Sequence, residues 1–172
     1  MAIIFRICTE DDLHALVKIS KETFVAAFEK DNDPDDFKAY IQKAFDPQKL
    51  ASELSDEDTY FYFLEEEGVL LGYFKLNIGR AQTDVHDMDS MEIERIYVLE
   101  SHQGKRIGTL MLQEIINLAK RLDKSYIWLG VWEHNPKAIR FYQRNHFQKF
   151  GEHPYYIGND KQTDWLLRLD LH

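Results

Sequence analysis

The stretch that most restricts the fold is "HQGKRIGTLML", residues 102–112, because of what stands on either side of it. Two glycines and two cations fall within its first seven residues. Ile107, Met111, Ile115, Leu118 and Leu122 then recur at three- and four-residue intervals, the period of one helix face. Before the turn, "MEIERIYVL" reads as a strand. After the helix, "SYIWLGVW" is an almost unbroken apolar run, as expected for a strand covered on both faces. A glycine turn that opens a helix presents unpaired backbone N–H groups at the positive end of the helix dipole, so its natural ligand is an anion, most often a phosphate. An ordinary surface turn has the same composition, and the neighbouring segments must decide. Neither the P-loop string G-x-x-x-x-G-K-[ST] nor the dinucleotide string G-x-G-x-x-G occurs.

The remaining elements follow from pattern. "MAIIFRIC" is a short β-prone run, and Thr9 with the carboxylates after it suits a helix start. Leu13, Leu16, Val17, Ser20, Phe24, Ala27 and Phe28 mark an amphipathic helix to about Phe28, which "DNDPDD" breaks. Phe37, Tyr40, Ile41, Ala44 and Phe45 repeat the pattern, and "DPQKLASEL" starts a third piece at Pro47. "TYFYFLEEEGVLLGYFKLNIG" reads as two antiparallel strands turning at Glu66 to Gly68. The polar stretch from Gly79 to Ser90 is either a binding rim or a solvated loop. "NPKAIRFYQRN" is a short helix with Asn135 as N-cap and Pro136 in its first turn. "HFQKFGEH" and "DWLLRLDL" close the chain as strands around the connector "PYYIGND". The order β, α, α, β, β, β, α, β, α, β, β, without repeat or linker, predicts an α/β fold with a mixed sheet in one domain, residues 1–172.

Charge and composition narrow the function. The formal net charge of −9 repels nucleic-acid phosphate and anionic membranes and favours cationic partners, which makes the basic turn a local exception. No apolar run approaches the roughly 20 residues that cross a bilayer, and the N-terminus lacks a signal-peptide pattern, so a cytoplasmic protein is expected. The lone cysteine, Cys8, lies in an apolar run and reads as a small buried hydrophobe. The seven histidines are scattered, with no pair at ligand spacing, so no metal site is expected.

With these elements in order, the chain resembles the GNAT superfamily of acetyl-CoA-dependent N-acetyltransferases. The family's Q/R-x-x-G-x-G/A turn is met by Gln103, Gly104, Lys105, Arg106, Ile107 and Gly108, with Arg106 in the usual middle glycine slot. That substitution is harmless only where the backbone at 106 has no need of positive φ. The family's N-x-x-A-x-x-F-Y string with its later glycine-phenylalanine pair is met by Asn135, Ala138, Phe141, Tyr142, His146 and Phe147. His146 stands where a left-handed residue follows the helix, a conformation His adopts more readily than most. "MEIERIYV", "IWLGVWEHN" and "PYYIGND" are most similar to the bacterial spermine/spermidine N-acetyltransferases of the PaiA type.

The resemblance implies a GNAT-like fold, its mostly antiparallel sheet splayed between the fourth and fifth strands, β4 and β5, with helices on both faces. It implies that the backbone of Ile96, Tyr97 and Val98 pairs with the pantetheine arm of acetyl-CoA, and that N–H groups from Lys105 to Thr109 receive the pyrophosphate. Asn135 would bond the pantetheine arm or cap its helix, and Tyr142 would be the general acid. Glu92 and Glu94 are the candidates for the base, Glu92 acting through water and Glu94 holding a cationic substrate, although a bulge would exchange them. Strand alternation puts residues 92, 94, 96 and 98 on one face and Arg95 on the other. Asp84, Asp87 and Asp89 would form an acidic rim. The expected reaction is acetyl transfer to a primary amine, such as that of spermidine or spermine, with no metal. Acetylation of a protein or peptide N-terminus and a purely regulatory acetyl-CoA-binding role are the alternatives. A homodimer is compatible with the sequence.

Overall fold

The computed structural model describes residues 2–171. Seven strands form one sheet in the order β1-β2-β3-β4-β5-β7-β6, with β1 Ile3–Ile7, β2 Thr59–Glu66, β3 Val69–Ile78, β4 Ser90–Val98, β5 Tyr126–Trp132, β6 Gln148–Ile157 and β7 Asp160–Asp170. Every pairing is antiparallel except β4 with β5. The helices are α1 Leu13–Phe28, α2 Pro34–Ala44, α3 Pro47–Leu54, α4 Ile107–Arg121 and α5 Pro136–Arg144. This is the α/β GNAT fold that the motifs implied.

Three of the helices start the same way. Asp33-Pro34, Asp46-Pro47 and Asn135-Pro136 each place a proline in the first turn, and the preceding side chain accepts from a backbone N–H of that turn. Helix α4 has no such cap: its N-cap is Arg106, and no side chain bonds the first turn.

The sheet separates two cores. Met91 and Ile93 of β4 join Met111, Leu112 and Ile115 of α4 and Ile139 of α5 on one face. Leu16, Ile19 and Phe24 of α1, Phe37, Phe45 and Leu50 pack with Phe61, Phe63 and Tyr73 on the other. Burying a side chain of this size contributes roughly 1.5–3 kcal/mol. Cys8 is buried in the second core, where removal from water pushes its thiol up to about 12.

Two sequence expectations need correction. "PYYIGND" is mostly strand: β6 runs to Ile157 and turns at Gly158, where φ is +60°. Pro154 is tolerated because β6 is an edge strand with one neighbour, β7. The Gly79–Ser90 segment is not an open loop throughout: it starts with a 3-10 turn at Gly79–Ala81, ends in the first residue of β4, and is pinned between them although Arg80, Thr83, His86, Met88 and Asp89 are exposed. Gln82, 2% exposed, accepts from Ser90 Oγ and Trp128 Nε1, both at 2.7 Å, and donates to the carbonyls of Gly79 and Asp87.

Candidate active site

Strands β4 and β5 pair only at Ser90 with Tyr126, Met91 with Ile127 and Glu92 with Trp128, then diverge. The cause lies in β4. Arg95 opposes Lys75 and Ile93 opposes Leu76, so Glu94 has no partner across β3 and forms a bulge, which bends the strand. Between the diverging strands lies a cavity of about 210 Å³, lined by Ile93–Tyr97, Leu129–Trp132, Asn135 and Tyr142. A second, of about 830 Å³, opens towards α2, α3 and β6 and is lined by Thr83, Asp84, Glu92, His153 and Asp164. The two share Ile93, Glu94 and Arg95 of β4, together with Tyr40, Gly130, Tyr155 and Asp164.

The bulge corrects the expected faces. Glu92 and Glu94 remain together, both accepting from Asn77 Nδ2, at 3.0 and 2.9 Å. Ile96 and Val98, however, turn to the α4 core, whereas Arg95 joins the glutamates' face and lies 4.3 Å over the Phe45 ring. The extra residue restarts the alternation one position later, so Glu92, Glu94, Arg95 and Tyr97 share the α1–α3 side.

The glutamates have opposite surroundings. Glu92, 3% exposed, accepts only from neutral donors: Asn77, the Thr83 N–H at 2.8 Å and the Thr83 hydroxyl at 2.5 Å. Burial dominates, and its carboxyl sits above the usual range. Burial pushes Glu94 upward too, but Lys75 at 2.9 Å and Arg95 at 3.3 Å outweigh it and hold the carboxyl at about 2. Lys75 also reaches Glu53 of α3 at 2.7 Å.

Tyr142, 8% exposed, packs edge-on against Phe141 and Phe147, and burial alone raises its hydroxyl pKa. Asn135 accepts from the Ala138 N–H at 3.2 Å, so its carbonyl oxygen serves as helix cap.

The turn between β4 and α4 exposes Gln103, Gly104, Lys105 and Arg106 and buries Ile107, which anchors it; Gly108 and Thr109 complete the first helical turn. Gly104 has φ +85°, and Gln103 Nε2 donates to the Val98 carbonyl at 3.1 Å. Arg106 is left-handed, with φ 60° and ψ 22°, against the condition set from its sequence. The turn forms with an arginine in a glycine conformation, at a cost of about 1–2 kcal/mol. His146 takes the left-handed backbone expected of it, with φ +73°.

Of the acidic rim, only Asp84 lines a cavity. Asp87 accepts from the Tyr126 hydroxyl and the Asp89 N–H, which ties it into the loop. Sequence reasoning also missed Thr83, Tyr40, Tyr155, His153 and Asp164. The hydroxyls of Tyr40 and Tyr155 are hydrogen-bonded to each other. Had "PYYI" been read as strand, the two-residue period would have put His153 and Tyr155 on one face. Nothing local marks Thr83 or Asp164. Among the described residues, no helix is long and apolar enough to cross a membrane, and no three His, Cys, Asp or Glu side chains are grouped to hold a metal ion.

Comparison with known proteins identifies this architecture. A crystal structure of a PaiA N-acetyltransferase from Thermoplasma acidophilum in complex with coenzyme A superposes with a TM-score of 0.80 over 99% of both chains, at 20% identity, a likeness of fold. An uncharacterized N-acetyltransferase encoded in the pepI 3′ region of Lactobacillus delbrueckii subsp. lactis is 39% identical over 163 residues, 95% of this chain and 94% of that protein. The spermine/spermidine N(1)-acetyltransferase of Bacillus subtilis is 33% identical over 87 residues, 50% of this chain and 57% of that protein. Residues 13–147 match the acetyltransferase (GNAT) family, and the chain belongs to that family.

Proposed function

We propose that the protein transfers the acetyl group of acetyl-CoA to a primary amine of a polyamine such as spermidine or spermine, in a ternary complex. The observation that carries the reading is the divergence of β4 from β5 beside an uncapped, left-handed turn. The residues present suit the donor. The free edge of β4 from Ile93 onward offers backbone groups to an extended amide chain, and Gly104 to Thr109 offer N–H groups to phosphates. Asn135, Ile96, Tyr97 and Val98 line or flank the same channel. Acetyl-CoA, when bound, supplies an activated acyl group and a thiol leaving group.

The protein's residues then divide the proton transfers. Glu92, with its raised pKa, takes a proton from the acceptor ammonium, directly or through water, and leaves the amine nucleophilic. Glu94 stays ionised and fixes charge beside the acceptor. Tyr142 remains protonated at every working pH and donates to the departing sulfur. The outer cavity sets Asp84, Glu92, Glu94 and Asp164 against Lys43, Lys49, Arg95 and His153, so the attraction for a cationic acceptor comes from the net charge of −9 of the whole chain. The named activity of the Bacillus relative points the same way.

A second reading, acetylation of a peptide amino group, draws on Lys43 and Lys49, which line the outer cavity and suit an acceptor carrying a carboxylate. Thiol release from acetyl-CoA across a panel of amines and peptides separates the two. The polyamine reading expects release that depends on spermidine or spermine. Turnover of peptides with none on polyamines would overturn it.

A further inference from the structure

The loop between β3 and β4 carries more strain than any other connection. Val85 and His86 are both left-handed, with φ of 60° and 55°, and for a β-branched residue this is a true outlier, costing about 1–3 kcal/mol. Such a loop persists only where its surroundings hold it. The Tyr126 hydroxyl, Lys124 Nζ and the Ser125 N–H hold its far end at Asp87, Met88 and Asp89. Three further ties hold the part around Thr83: Val85 packs against the Tyr126, Trp128 and Leu166 cluster, Gln82 is bonded from two sides, and Asp84 meets His153 of β6. The third tie is ionic. Asp84 Oδ2 lies 2.9 Å from His153 Nδ1, and Asp164 of β7 lies 3.7 Å from Nε2. Paired first with Asp164 and then with Asp84, His153 is raised to about 9 and is cationic at neutral pH.

The neighbour of Asp84 is Thr83, whose N–H and hydroxyl are two of the three donors on Glu92. We infer that His153, through Asp84, is a positioning residue that seats Thr83 on Glu92 and so sets the protonation of the proposed base. This rests on the reading of Glu92 as base for its catalytic meaning, but not for its geometry. Burial drives Glu92 towards its neutral form, while hydrogen bonds to the carboxylate drive it the other way. Loss of the Thr83 donors therefore moves Glu92 further upward. The other charges around Glu92 are Glu94 on β4, Lys75 on β3 with Glu53 of α3 behind it, Arg95 at the bulge, and Asp84, His153 and Asp164 across the cavity, with Lys43 and Lys49 at its outer wall. Direct attraction from His153 would also favour ionised Glu92, so the test must separate contact from field.

The experiment is an NMR titration of protein labelled with [13C]carboxyl glutamate, with the Glu92 signal assigned from Glu92→Gln. It is run on wild type, Thr83→Val, Thr83→Ser, His153→Ala and the double variant Thr83→Val/His153→Ala, alongside pH profiles of kcat/KM. Thr83→Val and His153→Ala are each expected to raise the Glu92 midpoint by about one pH unit, and Thr83→Ser, which keeps the hydroxyl, to leave it near wild type. In the Thr83→Val background, His153→Ala should lose more than half of its effect. An equal shift in both backgrounds, or none in either, overturns the inference. If the carboxyl midpoint moves and the acidic limb of kcat/KM does not, the positioning holds and the base assignment fails.

Discussion

The turn at Gln103–Thr109 is one run of chain, exposed along most of its length and built from backbone groups. The carboxylate site at the other end of the cleft gathers Asn77, Thr83, Glu92 and Glu94 from two strands and a loop, with His153 and Asp164 added from the last hairpin. A local device built from backbone N–H groups should survive side-chain change, and the turn does form with Arg106 in a glycine slot. An assembled device depends on side-chain identity at every point. Substitutions at the acceptor end should therefore cost activity steeply, and those at the turn mildly.

The largest effect is expected at Glu92. Glu92→Gln should lower kcat/KM by about 10²–10⁴-fold with acetyl-CoA affinity unchanged, as loss of a general base does. Its stability should not fall. A carboxyl raised above its ordinary value of 4.5 is ionised more readily in the unfolded chain, so the native state loses stability as pH rises past that value, and the neutral amide avoids the loss. A melting temperature that dropped along with activity would assign Glu92 a structural role.

Glu94 makes the opposite trade. Its carboxyl, held at about 2, contributes stability that is complete above pH 4.5 and is lost as pH falls towards about 2. Glu94→Gln removes that contribution and leaves Lys75 with Glu53 alone, and should destabilise by about 2–3 kcal/mol, measured by denaturant unfolding at pH 7. Equal stability of the two glutamate variants would erase the distinction between them. Tyr142→Phe comes next, with kcat reduced about 10–100-fold and the KM for acetyl-CoA unmoved, checked by steady-state kinetics. An unchanged kcat would leave Tyr142 as packing beside Phe147.

How much of this was legible follows the same division. The β4 strand, the glycine turn and the period of α4 are written within residues 91–122, where local pattern and physics coincide. Three Asx-Pro starts announce their helices just as locally. A bulge in β4 was allowed for from sequence, but its place at Glu94 was not legible, because it arises from register against β3 rather than from any residue that favours it. That one inserted position moved Ile96, Val98 and Arg95 to faces the simple alternation denied them. Asp84 and His153 meet across 69 positions, a separation over which no sequence period carries information. His153 was hidden further by its proline, which reads as a strand breaker anywhere but at a sheet edge.

The smallest effect tests the turn. Arg106→Gly restores the residue that a φ of 60° favours and removes a left-handed penalty of about 1–2 kcal/mol. Glycine also gains freedom in the unfolded chain, which takes back about 0.5–1 kcal/mol. The net gain of about 0.5–1 kcal/mol should raise Tm by roughly 1–4 °C in a chain of this size, read by calorimetry. The consequence for the donor is the sharper measurement. If backbone N–H groups hold the phosphates, the glycine variant keeps its affinity for coenzyme A at moderate salt, because the N–H at 106 and the first turn of α4 are untouched. If the guanidinium contributes by charge, affinity falls several-fold and the loss shrinks as salt screens it, since Arg106 is exposed. A large salt-independent loss would mean that the arginine side chain shapes the turn itself, and the contrast between a backbone-built end and a side-chain-built end would not hold.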